Sequence, residues 1–194
     1  MKKIISLLTL AISGVVLAQS PEVATYYQGV DFNLNGLALK NQLANKITST
    51  HESGRILVYN QTWDALKITD ANSNNTSQVV LLYGWENGTD NDYTNDLYRN
   101  NTLQDPGRNG EFWNREHTYA RSLGTPNLET NDENGGLAPN ADAHHLRAAD
   151  KERNANRGNL LFAAGSGNSK SVSGGWYPGD QWKGDVARMM MYMY

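Results

Sequence analysis

No cysteine occurs among the 194 residues, and this constrains how the chain holds itself together. Without disulfides, stability has to come from a packed core and from bound ligands. A chain of this length suffices for one well-buried core and is short for two, so the expectation is one globular domain. The N-terminus opens Met1-Lys2-Lys3, runs through apolar Ile4 to Leu17 and reaches Val16-Leu17-Ala18. That is the pattern of a secretory signal peptide removed after Ala18. Its apolar run falls short of the roughly 20 residues that span a bilayer. Residues 1–18 therefore read as an export signal and 19–194 as the functional domain, secreted or periplasmic, with no membrane attachment once the signal is gone. A lipid on an N-terminal cysteine is excluded outright.

Export removes Lys2 and Lys3 and no acid. The 17 Lys and Arg residues minus 2 leave 15 against 20 Asp and Glu, taking the net charge from −3 to −5. This is not the composition of a basic nucleic-acid-binding domain. Contact with a polyanion would have to rely on local arginines and a bound cation, against the global field.

Leu39, Leu43 and Ile47 recur at four-residue spacing with Ala44 beside them, which predicts an amphipathic helix capped by Asn35. Tyr59, Trp63 and Leu66 make a second helical stripe, with Thr62 and Asp64 in its first turn. Both stripes read as core. Val79-Val80-Leu81-Leu82-Tyr83, closed by Gly84, predicts a buried strand. The acidic loop Asp90 to Asp96 lacks the glycine and distal glutamate of an EF-hand loop, so it reads as solvated loop before calcium site. Next come a strand ending near His117, a long loop from Gly124 to Asn140, a short strand at Ala141 to Leu146 and a helix from near Ala148. Gly165 to Gly175 reads as a Gly/Ser-rich loop. A last helix opens at Asp185, with Val186, Met189, Met190 and Met193 on one face. That face breaks off at Tyr194, which suggests a longer native chain.

Three stretches carry candidate chemistry. In Trp113-Asn114-Arg115-Glu116-His117, neighbours on a regular strand face opposite ways, so Glu116 and His117 can serve one site only where the strand ends or twists. In Asp142-Ala143-His144-His145-Leu146-Arg147, one histidine can reach the site while the other packs. His144 is open between a core residue fixing the loop and a role supporting the site. Asn154-Ala155-Asn156-Arg157-Gly158-Asn159 reads as part of a helix on which Asp150, Asn154 and Arg157 share one face. An asparagine carbonyl suits magnesium when paired with one carboxylate and waters. Together the pieces supply oxygen ligands, an imidazole base and guanidinium groups for a phosphate. A zinc-protease reading fails, because the inverted His-x-x-Glu-His pattern would need histidine where Trp113 stands.

With Lys183-Gly184-Asp185-Val186-Ala187-Arg188 added, these motifs make residues 26–194 resemble the bacterial endonuclease I family of secreted and periplasmic nucleases. The resemblance implies an α+β, mostly helical and irregular single domain around a ββα-metal, or His-Me finger, motif. It implies a metal-dependent, largely sequence-nonspecific endonuclease, acting on DNA and also on RNA and leaving 5′-phosphate and 3′-hydroxyl ends. By motif position His117 resembles the general base, Glu116 and Asn154 the ligands of one magnesium ion (manganese or calcium being the alternatives), and Arg157 and Asn159 the end of the helix motif. Arg157 is grouped with His117 as catalytic. Arg115, Arg121, Asp142, His144, His145, Arg147 and Asn159 are candidates for phosphate binding or for support of the site. Where the family commonly has proline after each of the first two motifs, this chain has Ala120 and Ala148. A monomer is expected. Two other classes remain: a secreted calcium- or glycan-binding module, and a metal-dependent phosphoesterase for small substrates.

Overall fold

The computed structural model describes residues 21–50, 56–105, 111–128 and 139–194; residues 1–18, expected from the sequence to be an export signal, lie outside them. The chain divides into two compact units, Met1–Glu52 and Ser53–Tyr194. In the first, α1 (Pro21–Tyr26) meets α2 (Gly36–Thr50) through the Tyr26 hydroxyl and Thr50 Oγ1 (3.3 Å), and the loop between them is tied to α2 by Asp31 N–H to Gln42 Oε1 (2.8 Å) and Lys46 Nζ to the Gln28 carbonyl (3.2 Å). Helix α2 starts directly after Asn35, but no residue of α2 is buried. Leu39, Leu43 and Ile47 are only half-covered, so that stripe is not core.

In the second unit the described residues form α3 (Thr62–Thr69), α4 (Lys151–Arg157) and α5 (Lys183–Met193). Seven short strands accompany them: β1 (Ala71–Asn72), β2 (Asn75–Val80), β3 (Tyr98–Asn100), β4 (Trp113–His117), β5 (Leu146–Asp150), β6 (Lys170–Val172) and β7 (Gly175–Tyr177). This is an α+β composition, with helical residues outnumbering strand residues among those described. Strands β1-β2-β3 form one sheet; β4-β5 and β6-β7 are separate antiparallel ribbons. Among the described residues no helix is long and apolar enough to cross a membrane.

The β4-β5 ribbon positions the site. Its register pairs Trp113 with Asp150, Glu116 with Arg147 and His117 with Leu146. It is buried on both faces, because alternate residues join different apolar clusters. Trp113, Leu146 and Ala148 pack with Leu66, Val79 and Leu81. Ala149 packs with Leu82, Tyr83, Trp176, Trp182, Val186 and Met189. Helix α4 follows β5 without a loop: Asp150 is both the last strand residue and the helix N-cap, Oδ1 accepting Arg153 N–H at 2.9 Å. Arg99 Nη1 holds Oδ2 of the same carboxylate at 3.1 Å. Helix α4 packs on both strands and stops at Gly158, whose φ of 54° suits glycine.

Several sequence expectations shift. The strand predicted at Ala141 to Leu146 is a 3-10 turn (Pro139–Ala141) and a hydrogen-bonded turn, and the strand proper begins at Leu146. The helix expected from Ala148 starts at Lys151, because Ala148 and Ala149 are strand residues buried on both faces. Asp150 is therefore the cap of the helix and no member of its face. The buried strand expected at Val79 to Tyr83 ends at Val80, where Gly84 N–H closes a turn onto the Leu81 carbonyl. The Gly165 to Gly175 loop contains β6, and the last helix starts two residues before Asp185. In the acidic loop, Asp92 caps the 3-10 turn Tyr93–Asn95 and Asp90 accepts from Asp92 N–H and Asn95 Nδ2. Its carboxylates fold the loop.

Candidate active site

Strand β4 ends at His117, and the chain turns away through Thr118. That ending lets Glu116 and His117, which leave the strand in opposite directions, line one open pocket of about 390 Å³. Arg115, Arg121, Asn154, Arg157 and Asn159 line it with them.

Glu116 is 2% exposed. Its Oε1 accepts the Tyr83 hydroxyl (2.8 Å) and Arg157 Nη1 (3.0 Å), while Oε2 has no hydrogen bond among the described residues. Burial pushes its carboxyl up to about 7, against the opposing Arg157 charge and the two hydrogen bonds. Asn154 sits one α4 turn before Gly158. Its Nδ2 donates to the Arg115 carbonyl at 3.3 Å, so the amide presents Oδ1. One carboxylate oxygen and one amide oxygen, each fixed through its other atom, are the hard donors that suit a magnesium ion completed by waters. Among the described residues no group of three or more His, Cys, Asp or Glu side chains could hold a metal ion.

His117 Nε2 lies 3.0 Å from the Asn140 carbonyl. A carbonyl only accepts, so Nε2 carries the hydrogen and Nδ1 the lone pair. Burial lowers its pKa to about 3, helped by His145, Arg121 and Arg115 and opposed by the Asn140 carbonyl. The imidazole is thus a neutral base throughout the physiological range. Tyr59 lies beside it, rings 5.6 Å apart, and Arg115 stacks on Tyr59 at 3.5 Å and on Trp63 at 4.1 Å.

The arginines part company. Arg157, 2% exposed, donates to Glu116 Oε1 and to the carbonyls of His117 (2.8 Å) and Thr118 (2.9 Å); it clamps the strand end. Arg115 is held by Thr62 Oγ1 (3.1 Å) and the Tyr59 carbonyl. Arg147 pairs with Asp70 at 2.6 Å and lies outside the pocket. Arg121 alone of the four has no hydrogen bond or ion pair among the described residues, and its Nε is buried without a partner.

The Asp142 to His145 turn stays off the pocket wall. Asp142 accepts the His144 amide and ring Nδ1 (2.9 and 2.7 Å) and the Tyr192 hydroxyl (2.7 Å). His144 is largely exposed and stacks on Tyr192 at 4.8 Å. His145 is fully buried, Nε2 against the Pro139 carbonyl at 2.9 Å, its ring 5.7 Å from that of His117. Of the two histidines, the buried one braces the site.

Sequence reasoning missed Tyr83, Tyr59 and Asn140. Tyr83 has φ 75°, the one positive value outside glycine among the described residues, a conformation that costs on the order of 1–3 kcal/mol. The following Gly84 was the available hint: a Cβ there would stand 2.1 Å from the Asp96 carbonyl oxygen, so the close turn is forced. Nothing in the sequence marks Asn140.

The endonuclease I sequence profile matches residues 35–194. An extracellular ribonuclease of Bacillus amyloliquefaciens is 37% identical over 187 residues, covering 93% of this chain and 56% of that protein. An extracellular ribonuclease of Bacillus subtilis (strain 168) is 38% identical over 194 residues, covering 97% of this chain and 58% of that protein. No solved structure matches significantly. This chain belongs to the endonuclease I family, and it spans a little over half the length of these relatives.

Proposed function

We propose that this chain is a metal-dependent nuclease that hydrolyses phosphodiester bonds in RNA and DNA with little sequence preference. The observation that carries the reading is that Glu116, Asn154 and His117 line one pocket, with Oε2, Oδ1 and Nδ1 free of hydrogen bonds among the described residues. The relatives named as extracellular ribonucleases add RNA as a substrate, and favour export of this chain after loss of residues 1–18. The antiparallel β4-β5 ribbon followed directly by helix α4 supports the reading of a ββα-metal, or His-Me finger, site. A monomer is the assembly state proposed with it.

Glu116 and Asn154 would hold magnesium, with manganese or calcium as substitutes. Bound there, a divalent ion would supply positive charge that offsets the charge developing as the phosphodiester bond breaks. His117 Nδ1 takes the proton of the attacking water, while the Asn140 carbonyl keeps the ring in that tautomer. The new bond joins the water oxygen to phosphorus and the P–O3′ bond breaks, giving 5′-phosphate and, after protonation from solvent, 3′-hydroxyl ends. Arg121 holds the phosphate, because its guanidinium is the one still unengaged. Every group named addresses phosphate and none a base edge, so weak sequence preference follows.

Incubation of purified protein with single-stranded RNA and with supercoiled plasmid, with magnesium or with EDTA, tests this. The expected result is cleavage of both with magnesium and of neither with EDTA. Cleavage undiminished by EDTA overturns the metal dependence. Turnover of a small phosphodiester without cleavage of either polymer would reassign the site to small substrates.

A further inference from the structure

We infer that Tyr83 is the positioning residue for the metal-binding carboxylate of Glu116: its hydroxyl holds Oε1 so that Oε2 is the oxygen presented to the pocket. The inference rests on the reading of Glu116 as a ligand. Tyr83 stands at the third position of a turn closed by Gly84 N–H to the Leu81 carbonyl at 3.1 Å. That position, at positive φ, suits glycine or asparagine. A fully buried tyrosine occupies it instead, and three contacts from distant segments keep it there. Ser169 Oγ donates to the Tyr83 carbonyl at 2.7 Å, Trp182 Nε1 to the Gly84 carbonyl at 2.8 Å, and the Trp176 ring meets the Tyr83 ring at 5.6 Å.

Those contacts fix the backbone and the ring, and so deliver the hydroxyl to Oε1 at 2.8 Å. Arg157 reaches the same oxygen from helix α4. Two donors on one oxygen fix the rotation of the carboxylate, which a single donor leaves free to pivot. A tyrosine that only filled the core would need neither the unfavourable backbone nor a hydroxyl aimed at this carboxylate. Hydrogen bonds of this kind orient a ligand before the ion arrives, and removing one typically weakens metal binding by about 10- to 100-fold.

The test is Tyr83→Phe in the full chain, with manganese binding read from loss of the free-ion EPR signal. Manganese affinity should fall about tenfold or more, with cooperative unfolding in EDTA retained. Unchanged affinity overturns the inference. Should Tyr83→Phe fail to fold, 3-fluorotyrosine placed at position 83 keeps ring and hydroxyl, and its 19F resonance should shift saturably as magnesium is added. A resonance that stays in place overturns the inference equally. Glu116→Gln separates the two levels: if it abolishes manganese binding while Tyr83→Phe does not, the positioning role alone falls. Wild-type binding by Glu116→Gln would remove the ligand assignment and this inference with it.

Discussion

The segments around 115–117 and 154–159 and the segment 142–147 carry the same kinds of side chain, acids, histidines and arginines, and each includes or adjoins part of the β4-β5-α4 unit. In the first region Glu116, Asn154 and His117 are each fixed through one atom, Oε1, Nδ2 and Nε2, and each keeps another without a hydrogen bond. In the second the groups bind one another or the core. Asp142 takes His144 and Tyr192, Arg147 takes Asp70, and His145 faces the Pro139 carbonyl. A cluster of functional residue types becomes a site only where the fold leaves reactive atoms open, and it becomes a brace where the fold closes them.

The sharpest way to break this contrast is His117→Ala. It should lower RNA and plasmid cleavage by on the order of 100- to 10,000-fold with the thermal transition retained. Near-wild-type cleavage by folded mutant protein would remove the site from this region altogether.

Next in size is metal affinity. Glu116→Gln and Asn154→Ala should each weaken manganese binding by about 10-fold or more, and retention of wild-type affinity by both would show the ligands lie elsewhere. In the wild type the same site should respond to pH. The Glu116 carboxyl, held at about 7 in the metal-free fold, must lose its proton to bind an ion, so affinity should fall about tenfold per unit below pH 7 and level off above it. The sign for stability is opposite. Below about 7 the metal-free native state binds a proton that an unfolded carboxyl, with its ordinary value of 4.5, releases. Glu116 therefore makes the metal-free fold less stable as pH rises from 4.5 to 7. Thermal midpoints in EDTA across that range, compared with Glu116→Gln, check it; a variant with the same pH slope would contradict the shift.

The arginines sharpen the comparison at smaller scale. Arg121→Ala should raise KM for RNA by about tenfold and reduce the salt slope of binding by about one, the mark of a lost phosphate contact. Arg147→Ala should leave KM unchanged and lower stability by about 3 kcal/mol, because it strands the buried Asp70 carboxylate. Reversal of the two outcomes would invert the assignment. The smallest effect is expected from His144→Ala, whose cleavage rate should stay within about twofold of wild type, as surface substitutions away from a site usually do. A hundredfold loss would return the 142–147 segment to the chemistry.

Legibility differed from element to element for identifiable reasons. The ending of β4 at His117 could be read from the polar residues that follow, and the α3 and α5 stripes from their periodicity, since Leu66, Val186 and Met189 are buried as that periodicity demands. The β5 strand could not. Ala148 and Ala149 are strong helix formers, yet Ala148 N–H is taken by Asp70 Oδ2 at 2.6 Å and its carbonyl by Leu82 N–H at 2.8 Å, so long-range pairing overrides local preference. The α2 stripe erred the other way: its period is right for a helix, but periodicity says nothing about how much covers the apolar side.

The sequence alone determined the repertoire: a carboxylate beside an imidazole, an asparagine on the next helix, several arginines, and the local elements that carry them. Tertiary structure decided which atoms of that repertoire are free. The partners of Glu116 lie 33 and 41 residues away at Tyr83 and Arg157, and Asp70 lies 77 residues from Arg147. A hydrogen bond saturates an atom whatever its distance along the chain, so whether a residue in a motif is reactive or structural depends on neighbours that no local pattern specifies.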